Sequence, residues 1–283
     1  MQAQMVIFYA PKLGNEEYEW EDGAAGWCGD PATGRNPRFA VADGATEGFG
    51  SARWAQQLVA GWLGFDGPDG PDGPDRHDRY GERAAAPPTL HPDELRRWFA
   101  LAQARWSADS QVPGASDLAR LKLARVGSFA TLLACELSGL AGPAPRWDGV
   151  ALGDTVLFQV RGEHLVTQFP MLAAEDFGVN PDGVSTVPDR LAASVGRLAR
   201  HGGRLEVGDR LYLATDAFAQ WMVAAGRRDP RALWPALAAL DHPGSFRALL
   251  AERRGRGEMA NDDVTLLRVD LVPARATHLV VCL

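Results

Sequence analysis

A chain of 283 residues, 46% hydrophobic and 23% charged, is long enough for a sizeable core and too apolar to stay disordered throughout. Its net charge of −7 disfavours nonspecific binding to nucleic acid or anionic membrane, yet leaves room for acidic ligands held through metal ions, which reverse the local sign. Cys28, Cys135 and Cys282 lack CxxC or Cys/His zinc spacing and read as reduced thiols. With no basic leader at the start and no apolar run of about 18–20 residues, the expected location is the cytoplasm, without direct membrane insertion.

Along the chain, MVIFYAP predicts a strand over Met5–Tyr9 stopped by Pro11. NEEYEWEDGAAGW follows as a strand edge and turn carrying Glu21 and Asp22. Phe39–Ala42 reads as a short apolar strand ended by Asp43–Gly44, and Ser51–Leu63 as a helix. Gly64–Pro88, with its DGPDGPDGPD near-repeat, is too rich in proline and glycine for either element, so an insertion at about 64–90 is expected inside one domain spanning 1–283. It lacks the terminal glutamate of a calcium loop. PDELRRWFALAQARWSAD opens on proline and early acids and repeats Leu95, Phe99 and Ala102 at helical spacing, with Trp98 and Trp106 widening the apolar face.

Strands are then predicted over Phe129–Leu137, Arg146–Leu152 and TVLFQVR to Arg161, with a reversal at Gly162–Glu163 before HLVTQF. Residues 169–187 read as an irregular flap. A helix is expected over about Asp189–His201, stopped by Gly202–Gly203. LYLAT delivers Asp216 at its end and AFAQWMVAAG continues as helix. Two further helices are expected between 229 and 254, with Pro235 warning against an unbroken first one. Val264–Leu271 and THLVVCL close the chain as strands. Many antiparallel strands with several helices predict one layered α+β domain.

The chemistry lies in acids placed at strand ends. Glu21–Asp22 precede a turn, Asp43 ends FAVA, Asp216 ends LYLAT, and Asp262–Asp263 precede VTLLRV. Folding can bring such ends together. Packed carboxylates repel unless protonated or neutralised, and hard divalent cations with oxygen ligands neutralise them. Alone, each acid is equally well a surface charge.

Six blocks, in order, resemble the metal-dependent serine/threonine protein phosphatases of the 2C family. They are EDG (21–23), FAVADGATEG (39–48), GSFATLLA (127–134), ALGDTVLFQVRG (151–162), GDRLYLATDAF (208–218) and NDDVTLLRVDL (261–271). The resemblance implies a four-layer αββα sandwich with two mostly antiparallel sheets flanked by helices. It also implies two Mg2+ or Mn2+ ions, with Asp43 as their bridge. The Gly44 carbonyl is then a ligand of one ion, and Glu21, Asp216 and Asp262 of the other. Asp22 is the candidate holder of an activated water. Asp154 is a candidate for a third divalent ion, a plain turn being the alternative, and Asp263 positions Asp262 and its loop. The implied reaction is hydrolysis of phosphoserine or phosphothreonine in a phosphoprotein, from a serine/threonine kinase pathway, through direct attack by a metal-bridging hydroxide.

Two departures affect how phosphate is held. The family's arginine four residues before the first Glu–Asp pair is Glu17 here, with Lys12 and Arg35 as substitutes whose ordinary reading is surface charge. Ala45 stands where some members have histidine after the Asp–Gly pair, and Thr46 and Glu47 are the loop candidates beside it. The alternatives are therefore a phosphatase of small phosphomonoesters, or a catalytically weak regulatory binding module. The six histidines form no HExxH, and neither GxGxxG nor a GKS/T cradle occurs, which argues against dinucleotide and nucleotide chemistry.

Overall fold

The computed structural model describes residues 1–29, 34–45, 50–64, 87–109, 127–178 and 181–274. Five strands form one antiparallel sheet in the order β1 (Gln2–Ala10), β12 (Val264–Val272), β11 (Asp209–Ala214), β7 (Val156–Arg161), β8 (His164–Phe169). Five form a second in the order β10 (Ala199–Arg204), β6 (Arg146–Leu152), β5 (Leu132–Ser138), β3 (Arg38–Ala42), β2 (Gly23–Trp27). A minor pair joins β4 (Phe129–Ala130) to β9 (Val184–Ser185).

Alternation along the strands sorts the side chains into three apolar layers. Phe39 and Val41 of β3, Leu133 and Cys135 of β5, Leu211 and Leu213 of β11, and Leu267 and Val269 of β12 fill the space between the sheets. The intervening residues face outward under helices. Ala40, Ala42, Leu132 and Ala134 lie beneath α1 (Ser51–Trp62), α2 (Pro92–Asp109) and α3 (Pro188–Val195). Tyr212, Ala214, Phe158 and Leu266 lie beneath α4 (Asp216–Arg228), α5 (Pro230–Ala238) and α6 (Pro243–Gly255). The architecture is a four-layer αββα sandwich. Because both strand faces are covered, the central strands read as continuous apolar runs rather than as alternation.

Helix α2 buries Leu95, Phe99, Ala102, Trp98 and Trp106, the face expected from the sequence. Trp98 meets Trp62 of α1 at 6.1 Å between ring centres, and Trp106 meets Trp54 at 5.7 Å. Each large side chain buried in this way contributes about 1.5–3 kcal/mol. Helix α5 runs through Pro235, which forfeits one intrahelical bond while Leu233, Trp234 and Leu237 anchor the segment by burial.

Two predicted elements differ. The strand expected over Phe129–Leu137 is broken at Thr131, whose N–H turns to the Asp43 carbonyl (2.9 Å). The helix expected to His201 ends at Val195, and Ala199–Arg204 is instead strand β10, paired with β6. The glycines that look like a helix stop serve close packing. A Cβ on Gly203 would lie 2.7 Å from both Trp147 Nε1 and Gln159 Oε1, so only glycine lets the strand pass over this buried pair. The closing strand expected over THLVVCL lies outside the described residues, as do Thr46, Glu47 and most of the 64–90 insertion. No helix among the described residues is long and apolar enough to cross a membrane.

Candidate metal centre

Strand register gathers the acids at one edge of the sandwich. Gly23 pairs with Ala42, so one step further along Asp22 stands opposite Asp43, and Glu21 opposite Gly44. A Cβ on Gly44 would lie 2.4 Å from the Glu21 carbonyl oxygen and 2.9 Å from Ser51 backbone, so this close approach of chains demands glycine. In the other sheet Ala214 pairs with Leu266, which places Thr215–Asp216 beside Thr265 and the Asp262–Asp263 loop. Asp154 sits in the β6–β7 turn, and Val156 of β7 pairs with Ala214.

Asp22 ties the two sheets together. Its Oδ2 accepts from Thr215 Oγ1 (3.1 Å) and Thr265 Oγ1 (2.7 Å), while its buried Oδ1 has no hydrogen-bond partner. Asp43 is fixed through its backbone. Its N–H donates to Thr131 Oγ1 (3.1 Å), and that hydroxyl pairs with Thr155 Oγ1 at 2.6 Å. Asp216 is the first residue of α4, where unpaired backbone N–H groups favour an anion, and its carboxylate accepts from the Ala217 N–H. Asp154 is buried. Its Oδ2 accepts from the Gly178 N–H (3.3 Å), and its Oδ1 has no partner. Asp263 accepts from the Lys12 N–H (2.9 Å) on one oxygen and the Glu21 N–H (2.8 Å) on the other, stapling two loops.

The charges of these groups are mutually costly. Burial, then the like charges of Asp22, Asp216, Asp154 and Asp262, hold Asp43 well above the usual carboxylate range. Burial pushes Asp22 up to about 8; hydrogen bonds from Thr265 and Thr215 oppose this, and the charges of Asp263 and Asp216 add to it. Asp216 rises to about 6 through burial and the charges of Asp154 and Asp262, against the hydrogen bond it accepts from the Ala217 N–H. Asp154 is raised by burial. Two oxygens without partners in a cluster of mutually repelling carboxylates are what a divalent cation satisfies, and the all-oxygen donor set is of the magnesium or manganese kind. In chemical kind the residues fit such ions. Among the described residues, however, no three Asp, Glu, His or Cys side chains converge on one point. The oxygens are turned to other partners: Asp22 to two threonines, Asp216 to the Ala217 N–H, Glu21 and Asp262 towards Lys12.

Lys12 is the residue whose ordinary sequence reading fails. Rather than a surface charge, its Nζ lies 3.7 Å from Glu21 Oε2 and 3.5 Å from Asp262 Oδ1, and its side chain is only 22% exposed. Burial lowers its pKa, but the charges of Asp262, Asp263 and Glu21 outweigh that and raise it. Arg35 is not brought to the site; it points to the Leu63 carbonyl and the Trp27 ring. Glu17 pairs with Arg247 at 2.6 Å on the surface. Thr215, Thr265 and Thr131 were not legible as site residues, although Thr215 adjoins Asp216 and Thr265 lies two positions after Asp263.

No protein-family model and no curated protein matches the sequence. Solved structures do match in fold. The Mycobacterium tuberculosis serine/threonine phosphatase PstP/Ppp aligns over 96% of this chain and 100% of its own, with a TM-score of 0.58 and 17% identity. The catalytic domain of PstP in complex with two manganese ions aligns over 96% and 99%, with a TM-score of 0.54 and 15% identity. A bacterial serine phosphatase aligns over 96% and 99%, with a TM-score of 0.59 and 10% identity. At such identities the likeness is one of fold, and it covers nearly the whole of each chain.

Proposed function

We propose that this chain is a divalent-metal-dependent phosphomonoester hydrolase acting on phosphoserine and phosphothreonine in proteins. The observation that carries the reading is the place of Asp43, at the edge where both sheets end and among Asp22, Asp216, Asp154 and Asp262. Asp43, the Gly44 carbonyl, Glu21, Asp216 and Asp262 would hold the Mg2+ or Mn2+ ions, with Asp43 as the central ligand. Divalent ions in such a site supply an activated water and a counter-charge for phosphate oxygens.

The chain's own residues do the rest. Asp22 Oδ1, buried and without a partner, accepts a hydrogen bond from a water, while Thr215 and Thr265 fix the carboxyl's orientation. Asp263 sets the spacing of the Glu21 and Lys12 segments through its two backbone bonds. Asp154, with its free Oδ1, is the place for a third ion or an ordered water. The α4 N-terminus at Asp216 adds partial positive charge at the same edge.

The fold shared with serine/threonine phosphatases over nearly the full chain favours a protein substrate over a small ester. The test is phosphate release from a phosphoserine and phosphothreonine peptide panel and from small phosphomonoesters, with Mn2+ or with chelator. Metal-dependent release favouring the peptides supports the proposal. Release from small esters alone moves the assignment to a metabolite phosphatase. Metal binding without release from either points to a binding module.

A further inference from the structure

We propose that Lys12 is a resident counter-ion of the metal centre, so that a divalent ion reaches the Glu21–Asp262 pair only by displacing its ammonium group. The inference rests on the metal-dependent reading above and concerns which carboxylates are available to metal.

Geometry carries it. The two carboxylates come from segments more than 240 residues apart in sequence, yet the Lys12 Nζ lies within 3.7 Å of one and 3.5 Å of the other. A lysine ammonium is a compact point charge that satisfies carboxylates much as a small cation does. The backbone beneath it is pinned on several sides. The Lys12 N–H donates to Asp263 Oδ1, the Leu13 N–H to Asn261 Oδ1 (2.6 Å), and Asn261 Nδ2 returns a bond to the Leu13 carbonyl (3.3 Å). Arg254 clamps the same two loops, donating to the Pro11 and Asp262 carbonyls. The lysine therefore cannot drift away with its loop; only its flexible stem can swing. Two cations cannot share one carboxylate pair at this range without strong repulsion. The arrangement also accounts for acids that gather without converging: Glu21 and Asp262 are turned to Lys12, leaving Asp43, Asp216 and the Gly44 carbonyl as the readier ligands.

The chain thus has a graded site, with one position open to a divalent ion and one guarded by lysine. The test is calorimetric titration of the chelator-treated full chain with Mn2+. Lys12→Met keeps the aliphatic stem without the charge, and Lys12→Gln gives a second neutral variant should methionine disturb the loop. The expected result is Mn2+ affinity higher by about ten- to a hundredfold, or one additional ion per chain, in both neutral variants. That gain disappears when Glu21→Gln is added to Lys12→Met, which places it at this pair. Lys12→Arg, which keeps a cation, shows no gain. Mn2+ binding by the wild type that is unchanged or weakened in the neutral variants overturns the role of Lys12 alone. Absence of Mn2+ binding in the wild type and every variant overturns it together with the metal-dependent function.

Discussion

Asp22→Asn in the metal-free protein isolates the electrostatic cost built into the site. The Asp22 carboxyl, ordinarily titrating near 3.8, is pushed up to about 8 by burial and by Asp263 and Asp216, against the hydroxyls of Thr265 and Thr215. Between those values the folded protein holds a proton that the unfolded chain releases, so this group lowers stability as pH rises through the window. Each pH unit inside it costs about 1.4 kcal/mol, and between pH 5 and pH 8, with the slope falling off near the folded value, the loss comes to roughly 4 kcal/mol. The substituted asparagine cannot ionise, yet keeps an oxygen for the two threonine donors. Because Asp22 also raises Asp43, the variant relieves its neighbour in the same direction. The assay is urea unfolding of both proteins in chelator at pH 5, 6, 7 and 8. The stability of Asp22→Asn relative to wild type is expected to improve with each step, by roughly 4 kcal/mol across the range. A difference that is flat with pH, or that moves against the variant, refutes the picture of an acid cluster strained by its own charge.

Away from the site, Asp209 is fully buried and accepts from Arg161 (2.7 Å), Gln159 (2.9 Å) and the Glu206 N–H (3.0 Å). Asp209→Ala strands these donors and is expected to cost about 3 kcal/mol, read from chemical unfolding. Asp263→Ala frees the Lys12 and Glu21 backbones without removing a proposed ligand. Its expected effect is a Mn2+ affinity lower by about ten- to a hundredfold in calorimetry, with little change in the far-ultraviolet circular dichroism spectrum.

Much of the architecture was legible because the elements are locally consistent. Pro92 with Asp93 and Glu94 starts α2, and the spacing of Leu95, Phe99 and Ala102 fixes its buried face. Strand β10 was not legible, since Gly202–Gly203 carries the local signal of a helix end. What decides it is the Trp147 indole across the sheet, a tertiary contact invisible to local pattern. In the site, the acids stand out locally only as ends or starts of apolar strands, and it is the resemblance of the six ordered blocks that singled out Glu21, Asp22, Asp43, Asp216 and Asp262. That they share one edge follows from register, which no local pattern contains. Lys12 was the least legible. Nothing in PKLG distinguishes a surface lysine from one folded over two carboxylates. Only the bonds of Asp263, Asn261 and Arg254 to its loop decide that.

The central claim is that Asp43 is the hub of a metal centre that hydrolyses phosphomonoesters. Its most direct test is phosphate release from phosphothreonine peptides in Mn2+ by the wild type and by Asp43→Asn, with folding of both checked by thermal melts. The account predicts metal-dependent release by the wild type and a loss of at least about a thousandfold in kcat in the variant, the scale of effect when one centrally placed charged group of a catalytic site is removed. An Asp43→Asn protein that releases phosphate at the wild-type rate, or a folded, Mn2+-loaded wild type that releases none, contradicts it.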